Sequence, residues 1–217
     1  MNYPLYNQTL CPDMWEKNGE NYTMRKEVQS RLMEIANDFI TDYLREAKVN
    51  LTIKDVVIIG SIVNYNWNKY SDIDLHIVFD YSELDMSEED AFTMLTAIKI
   101  NWNKSHNIKI KGHDLELGVQ GMEQKNHSKS EYSVKNNKWI VPPKKESPVF
   151  DKETIKKKHN MMKERIDALL KAKDDGGLRK ILEKLYIMRQ AGLDSRGEYS
   201  AENIVFKILR AQGYLDR

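Results

Sequence analysis

A chain of 217 residues that is 41% apolar and 31% charged has enough length and apolar content for one full core, or for a core with a small helical companion, and its composition excludes wholesale disorder. No apolar run approaches the roughly 20 residues that cross a bilayer, and the opening stretch MNYPLYNQTLCPDMWEKNGENY lacks the basic-then-apolar order of a secretory signal, so a cytoplasmic protein without a membrane partner is expected. The single cysteine, Cys11, excludes an internal disulfide framework and a thiolate-rich zinc site, while the net charge of +1 hides a split: from residue 151 onward 16 Lys and Arg face 11 Asp and Glu, against 18 and 22 before it. That split fits an acidic part suited to cations and a basic part suited to a polyanion; solvated helix faces give the same arithmetic.

The periodicity predicts a helix over roughly 24–46, with Thr23 as N-cap and Val28, Leu32, Ile35, Phe39 and Tyr43 on one face. The β-branched run DVVII, Asp55 to Ile59, suits a strand covered on both faces, and Gly60 ends it. Asp72 to Phe79 alternates, sending Ile73, Leu75, Ile77 and Phe79 one way and Asp72, Asp74 and His76 the other. Ser87 with Asp90 three residues on opens a predicted helix over 88–103. A third strand is expected over 107–120, with Leu115, Leu117 and Val119 opposite Asp114 and Glu116, followed by a hairpin over 131–141 turning at Asn136-Asn137. Pro142, Pro143 and Pro148 mark a linker, and three helices are predicted over 151–172, 177–190 and 200–212, capped by Asp151 and Ser200 and punctuated by Gly176, Gly177, Gly192 and Gly197.

Residues two apart on a strand share a face, roughly 6.6–6.8 Å apart along its axis, so the carboxylates of Asp72 and Asp74 can converge. Two unit charges about 4 Å apart repel by roughly 4 kcal/mol at an effective dielectric of 20. A divalent cation turns that repulsion into attraction, which makes Asp72 and Asp74 candidate ligands for Mg²⁺ or Mn²⁺, with Glu116 as a third carboxylate. Two such ions suit in-line phosphoryl or nucleotidyl transfer. Upstream, Gly60 lets the backbone approach a phosphate closely and Ser61 offers a hydroxyl donor, placing an anion site beside the cation site.

Gly60-Ser61, a ten-residue spacer, then Ser71-Asp72-Ile73-Asp74-Leu75 and an acidic residue on a later strand together resemble the DNA polymerase β nucleotidyltransferase superfamily. The stretches YNWNKYSDIDLH, NWNKSHNIKIKGHDLELGVQ and MRQAGLDSRGEYSAENIVFKILRAQGY are similar to small nucleotidyltransferases predicted in large tailed bacteriophages, which would put the protein in the host-cell cytoplasm. The resemblance implies an α+β fold, a polymerase-β-like nucleotidyltransferase core with a short mixed sheet flanked by helices over 1–145, followed by a C-terminal three-helix region over 146–217. It also implies two Mg²⁺ or Mn²⁺ ions held by Asp72, Asp74 and a third acid. Glu116 is chosen for that place, although the superfamily more often has aspartate there and Asp114 lies on the same strand face. Gly60, Ser61 and Ser71 then belong to the nucleotide site.

Lys69 is a further candidate for triphosphate contact, as are Arg189 and Lys207 on the C-terminal helices, each weighed against plain solvated charge. Asn64, Tyr65, Asn66 and Trp67 suit a base-contacting lip or simple packing. His76 is expected to orient a carboxylate, and His106, His113 and His127 have no zinc-like spacing. The activity expected is template-independent transfer of an NMP from an NTP to an acceptor oxygen with release of pyrophosphate. The basic C-terminal part tilts the unknown acceptor toward RNA. An inactive nucleotide-binding or interaction module and a metal-dependent phosphohydrolase are the alternatives.

Overall fold

A computed structural model of the chain describes residues 6–124, 128–146 and 148–215, which fall into two units, one ending at Lys145 and the other beginning at Glu146. In the first, Trp15–Asn18 (β1) and Asn21–Met24 (β2) pair antiparallel around Gly19, whose φ of +64° is the left-handed backbone that a two-residue hairpin loop needs. The helix expected over 24–46 covers Lys26–Phe39 (α1) and widens into a π turn over Ile40–Leu44. Thr23 does not cap it; Thr23 lies in β2, and Arg25 holds the cap position without a side-chain bond. Val28, Leu32, Ile35, Ala36 and Phe39 make the buried stripe of α1.

Ile53–Ile59 (β3) and Ile73–Phe79 (β4) follow, then Glu88–Ser105 (α2), whose Ser87 cap accepts a hydrogen bond from the Asp90 N–H. The single strand expected over 107–120 is two strands. Lys111 at φ +52° and Gly112 at φ +87° form a tight turn that folds Lys109–Ile110 (β5) back on His113–Gly121 (β6). Glu131–Ser133 (β7) and Lys138–Val141 (β8) make the expected hairpin, with Asn137 at φ +50°. The six strands lie in the order β5-β6-β4-β3-β7-β8, with β4 and β6 parallel and every other pair antiparallel.

One hydrophobic cluster joins the α1 stripe and Ala91, Leu95 and Trp102 of α2 to Ile58, Leu75, Ile77, Phe79 and Leu117 of the sheet. Each such aliphatic side chain is worth roughly 1.5–3 kcal/mol when fully buried, which holds both helices to one sheet face. The other face carries Asp74, His76 and Glu116, with Val57 and Val78 beside them. The Asn103 side chain of α2 closes the open edge of β6, donating from Nδ2 to the Leu117 carbonyl (2.9 Å) and accepting from the Leu117 N–H (3.0 Å).

The second unit holds Lys152–Ala172 (α3), Asp175–Arg196 (α4) and Ala201–Ala211 (α5), capped by Asp151, Asp174 and Ser200. α4 starts at Asp175, two residues before the expected 177, because Asp174 caps it, so Gly176 joins Gly177 in its first turn, and it runs on to Arg196 past the expected 190. Gly192 is buried inside the same helix, and Gly197, at φ +70°, ends it. Ile166, Leu185, Val205 and Leu209 belong to the buried stripes of these three helices. No helix among the described residues is long and apolar enough to cross a membrane.

Candidate active site

Two expected carboxylates meet on the open sheet face. Asp74 and Glu116 are direct register partners on the parallel strands β4 and β6, so their side chains leave the sheet side by side, about 4.8 Å apart along the hydrogen-bonding direction. Both line a cleft of about 260 Å³ together with His76, and with Thr96 and Lys99 from α2. Asp74 is half-buried and Glu116 exposed; Asp72, half-buried, stands one residue before β4 begins. Asp114, the alternative third acid, is exposed and pairs with Lys109 at 2.7 Å across the β5–β6 hairpin.

Gly60 follows β3 and opens a short 3-10 turn over Ser61–Val63. Its φ of +84° with ψ of −159° is backbone space used essentially by glycine alone. The Asp74 carboxylate rests where a Gly60 side chain would be: a methyl built there would run into Asp74 Oδ2. The Gly60 N–H donates to Ser128 Oγ (3.3 Å), and its carbonyl accepts from Asn64 Nδ2 (2.8 Å), which Ser130 holds through Asn64 Oδ1 (2.6 Å). Ser61 Oγ donates to Ser71 Oγ (2.9 Å), linking the Gly-Ser turn to the residue before Asp72. Ser71 is itself buried, and its hydroxyl also accepts from the Asn68 N–H (3.0 Å), so it shapes the loop from inside.

Among the described residues His76 has the Gln120 side chain, not a carboxylate, as its neighbour in hydrogen bonding. Its ring lies flat against Gly118, where a methyl would come within 2.7 Å, and burial lowers its pKa, an effect the Gln120 side chain partly offsets. His76 Nδ1 and Thr96 Oγ1 are buried without hydrogen-bond partners among the described residues. Buried orphans of this kind are rare, and in a cleft they offer bonds to a ligand.

The remaining candidates are scattered. Lys69 is exposed, its ammonium 4.7 Å from the Tyr70 ring centre. Arg189 and Lys207 belong to the second unit, on α4 and α5; the Arg189 guanidinium stacks over Phe206 (4.9 Å) and its Nε donates to Asn203 Oδ1 (3.3 Å). Asn64, Tyr65 and Asn66 are buried, and the Trp67 indole N–H donates to the Thr9 carbonyl, so the expected lip is packed into the protein. His127 lies outside the described residues.

Sequence reasoning missed the α2 contribution, although Phe92, Thr96 and Lys99 follow a helical stripe beside the apolar one that it did find. It also missed Ser128, for which no local signal exists. A further contact was out of its reach: Cys11 Sγ lies 3.6 Å from His113 Nε2, while His113 Nδ1 bonds the Ser71 carbonyl at 2.7 Å. Burial pushes the Cys11 thiol up, so it stays protonated and donates to the imidazole.

A mixed sheet with carboxylates on its open face and a glycine turn beside them defines a nucleotidyltransferase-type core. A family model, the nucleotidyltransferase domain, matches residues 40–188, from the π turn into α4, and the chain belongs to this polymerase-β-like family. Nucleotidyl transfer in general terms, with a nucleotide as substrate, comes with that membership. Neither the curated proteins nor the solved structures provide a match.

Proposed function

We propose that the protein is a template-independent nucleotidyltransferase that moves a nucleoside monophosphate from an NTP to an acceptor oxygen and releases pyrophosphate. The observation that carries this reading is the side-by-side pairing of Asp74 and Glu116, with the Asp74 carboxylate pressed against the Gly60 backbone. As a hard oxygen donor set these carboxylates fit Mg²⁺ or Mn²⁺, and members of the family typically use divalent metals. Asp72, Asp74 and Glu116 would hold two such ions, which supply Lewis-acid charge neutralisation at the reacting phosphate. Glu116 is the better third acid because Asp114 is engaged by Lys109.

The protein's own part is positioning. Gly60 admits the triphosphate close to the backbone, Lys69 donates to its oxygens, and Ser61 turns its hydroxyl from Ser71 to a phosphate oxygen when the nucleotide binds. The acceptor oxygen attacks the α-phosphorus, Glu116 takes its proton, and the bond to the bridging oxygen breaks as pyrophosphate leaves. The +5 balance from residue 151 onward favours RNA as acceptor.

The test is incubation with each labelled NTP, Mg²⁺ or Mn²⁺, and total RNA or protein, following which pool becomes labelled and what is released. Pyrophosphate is expected, lost by at least ~100-fold in Asp74→Asn, because a ligand charge worth several kcal/mol disappears with little change in volume. Release of orthophosphate would make the protein a phosphohydrolase. Binding without turnover would make it an interaction module.

A further inference from the structure

Cys11, Asp13 and His113 bring one sulfur, one carboxylate oxygen and one ring nitrogen to within 4.8 Å of one another. Cys11 and His113 are almost completely buried, at 0% and 4% exposure, and Asp13 is exposed. For Zn²⁺ with Zn–S of about 2.3 Å, Zn–N of about 2.0–2.1 Å and a tetrahedral angle, sulfur and nitrogen stand about 3.6 Å apart. The observed Sγ to Nε2 distance is 3.6 Å.

The surroundings fit a metal ligand as well as the spacing does. A ligating histidine usually donates its other ring N–H to a carbonyl or carboxylate, which fixes the tautomer and turns the free nitrogen to the metal. His113 Nδ1 is bonded to the Ser71 carbonyl in this way, leaving the Nε2 lone pair aimed at Cys11. Cys11 is held in a tight turn, its carbonyl accepting from the Met14 and Trp15 N–H groups, and the Pro12 carbonyl accepts from Arg25 Nε. Asp13, on the solvent side of that turn, provides both the third ligand and the route in.

We infer that Cys11, Asp13 and His113 form a mononuclear site for Zn²⁺ or a similarly borderline-soft divalent ion, with water in the fourth position. Binding displaces the thiol proton to solvent and leaves thiolate, neutral imidazole and carboxylate as ligands. Mg²⁺ and Mn²⁺ prefer oxygen donors, so this site and the Asp72, Asp74, Glu116 set select different metals. The zinc fastens the N-terminal turn to β6 and, through the Ser71 carbonyl, to the residue that precedes Asp72. No sequence spacing announces it, because the buried ligands are 102 positions apart.

The full chain is purified, its zinc content measured, and the metal exchanged for Co²⁺. About one zinc per chain is expected, and the Co²⁺ form is expected to show tetrahedral visible bands with a near-ultraviolet thiolate charge-transfer band. Cys11→Ser should lose the charge-transfer band, His113→Gln should raise the zinc dissociation constant at least ~10-fold, and Asp74→Asn should change neither. Substoichiometric zinc with no near-ultraviolet band in the Co²⁺ wild-type protein overturns the site, and that reading needs no variant to fold. A charge-transfer band that persists in Cys11→Ser overturns it too. Either failure leaves the nucleotidyl-transfer reading intact, since that is tested by labelled NTP and Mg²⁺.

Discussion

At φ +84° and ψ −159°, Gly60 occupies backbone space that residues with a Cβ avoid, and the Asp74 carboxylate takes the volume a methyl would fill. Gly60→Ala therefore meets two separate penalties. The backbone strain costs about 1–3 kcal/mol, which a denaturant midpoint would show as lost stability without a change in slope. Because Asp74 ends in a rotatable carboxylate, it can swing away, so the chain should still fold while turnover collapses with that of Asp74→Asn. A Gly60→Ala protein with full activity would mean that the carboxylate position is irrelevant to the chemistry. At this scale the sequence was informative where chemistry and local geometry coincide: a Gly-Ser pair after a strand and acids two apart on another. It was silent where partners come from distant segments, as with Cys11 and His113, or where a serine such as Ser128 answers a backbone N–H 68 positions away.

Strand β6 matters as an element because its register decides whether Glu116 or Leu117 stands beside Asp74; a slip of one residue would exchange them. Three features pin it: the Lys111-Gly112 turn, the parallel ladder to β4, and the Asn103 side chain standing in for a missing neighbour strand at Leu117. Asn103→Ala strips a donor and an acceptor from that edge and should cost about 1–3 kcal/mol in unfolding free energy, the ordinary penalty of leaving such groups unmet. Asn103→Asp keeps the shape but cannot donate to the Leu117 carbonyl, so it should recover only part of the loss. Equal stability of all three proteins in urea would show that the clamp is idle. Element types were legible from periodicity throughout, from the alternation of β4 to the stripes of α3, α4 and α5. The β1–β2 hairpin was not seen, although Asn18-Gly19 carries the turn signal, because its strands are only four residues long. The break at Lys111-Gly112 was hidden because β5 is two residues long and continues the alternation of β6.

On the scale of the whole molecule, the first unit is built on one hydrophobic cluster that runs in sequence from Leu10 to Trp139, and the helical unit buries Ile155, Met162, Ile181, Leu185, Val205 and Leu209. The charge split at residue 151 was readable by counting, whereas the metal content of the first unit is a matter of which carboxylates the fold pairs. Asp74 and Glu116 leave neighbouring strands side by side, and two like charges at that strand spacing gain a common partner when a divalent cation binds between them. In scanning calorimetry the transition of the first unit is read in wild type and Asp74→Asn, first with chelator and then with Mg²⁺. Adding Mg²⁺ should raise that transition in wild type and leave it unmoved in Asp74→Asn, because the ion binds the folded carboxylate set and not the unfolded chain. The transition of the helical unit, which contributes no carboxylate to the set, should stay in place in both proteins. An equal Mg²⁺ shift in wild type and variant would separate the ion from these carboxylates and remove the physical reason for the pair.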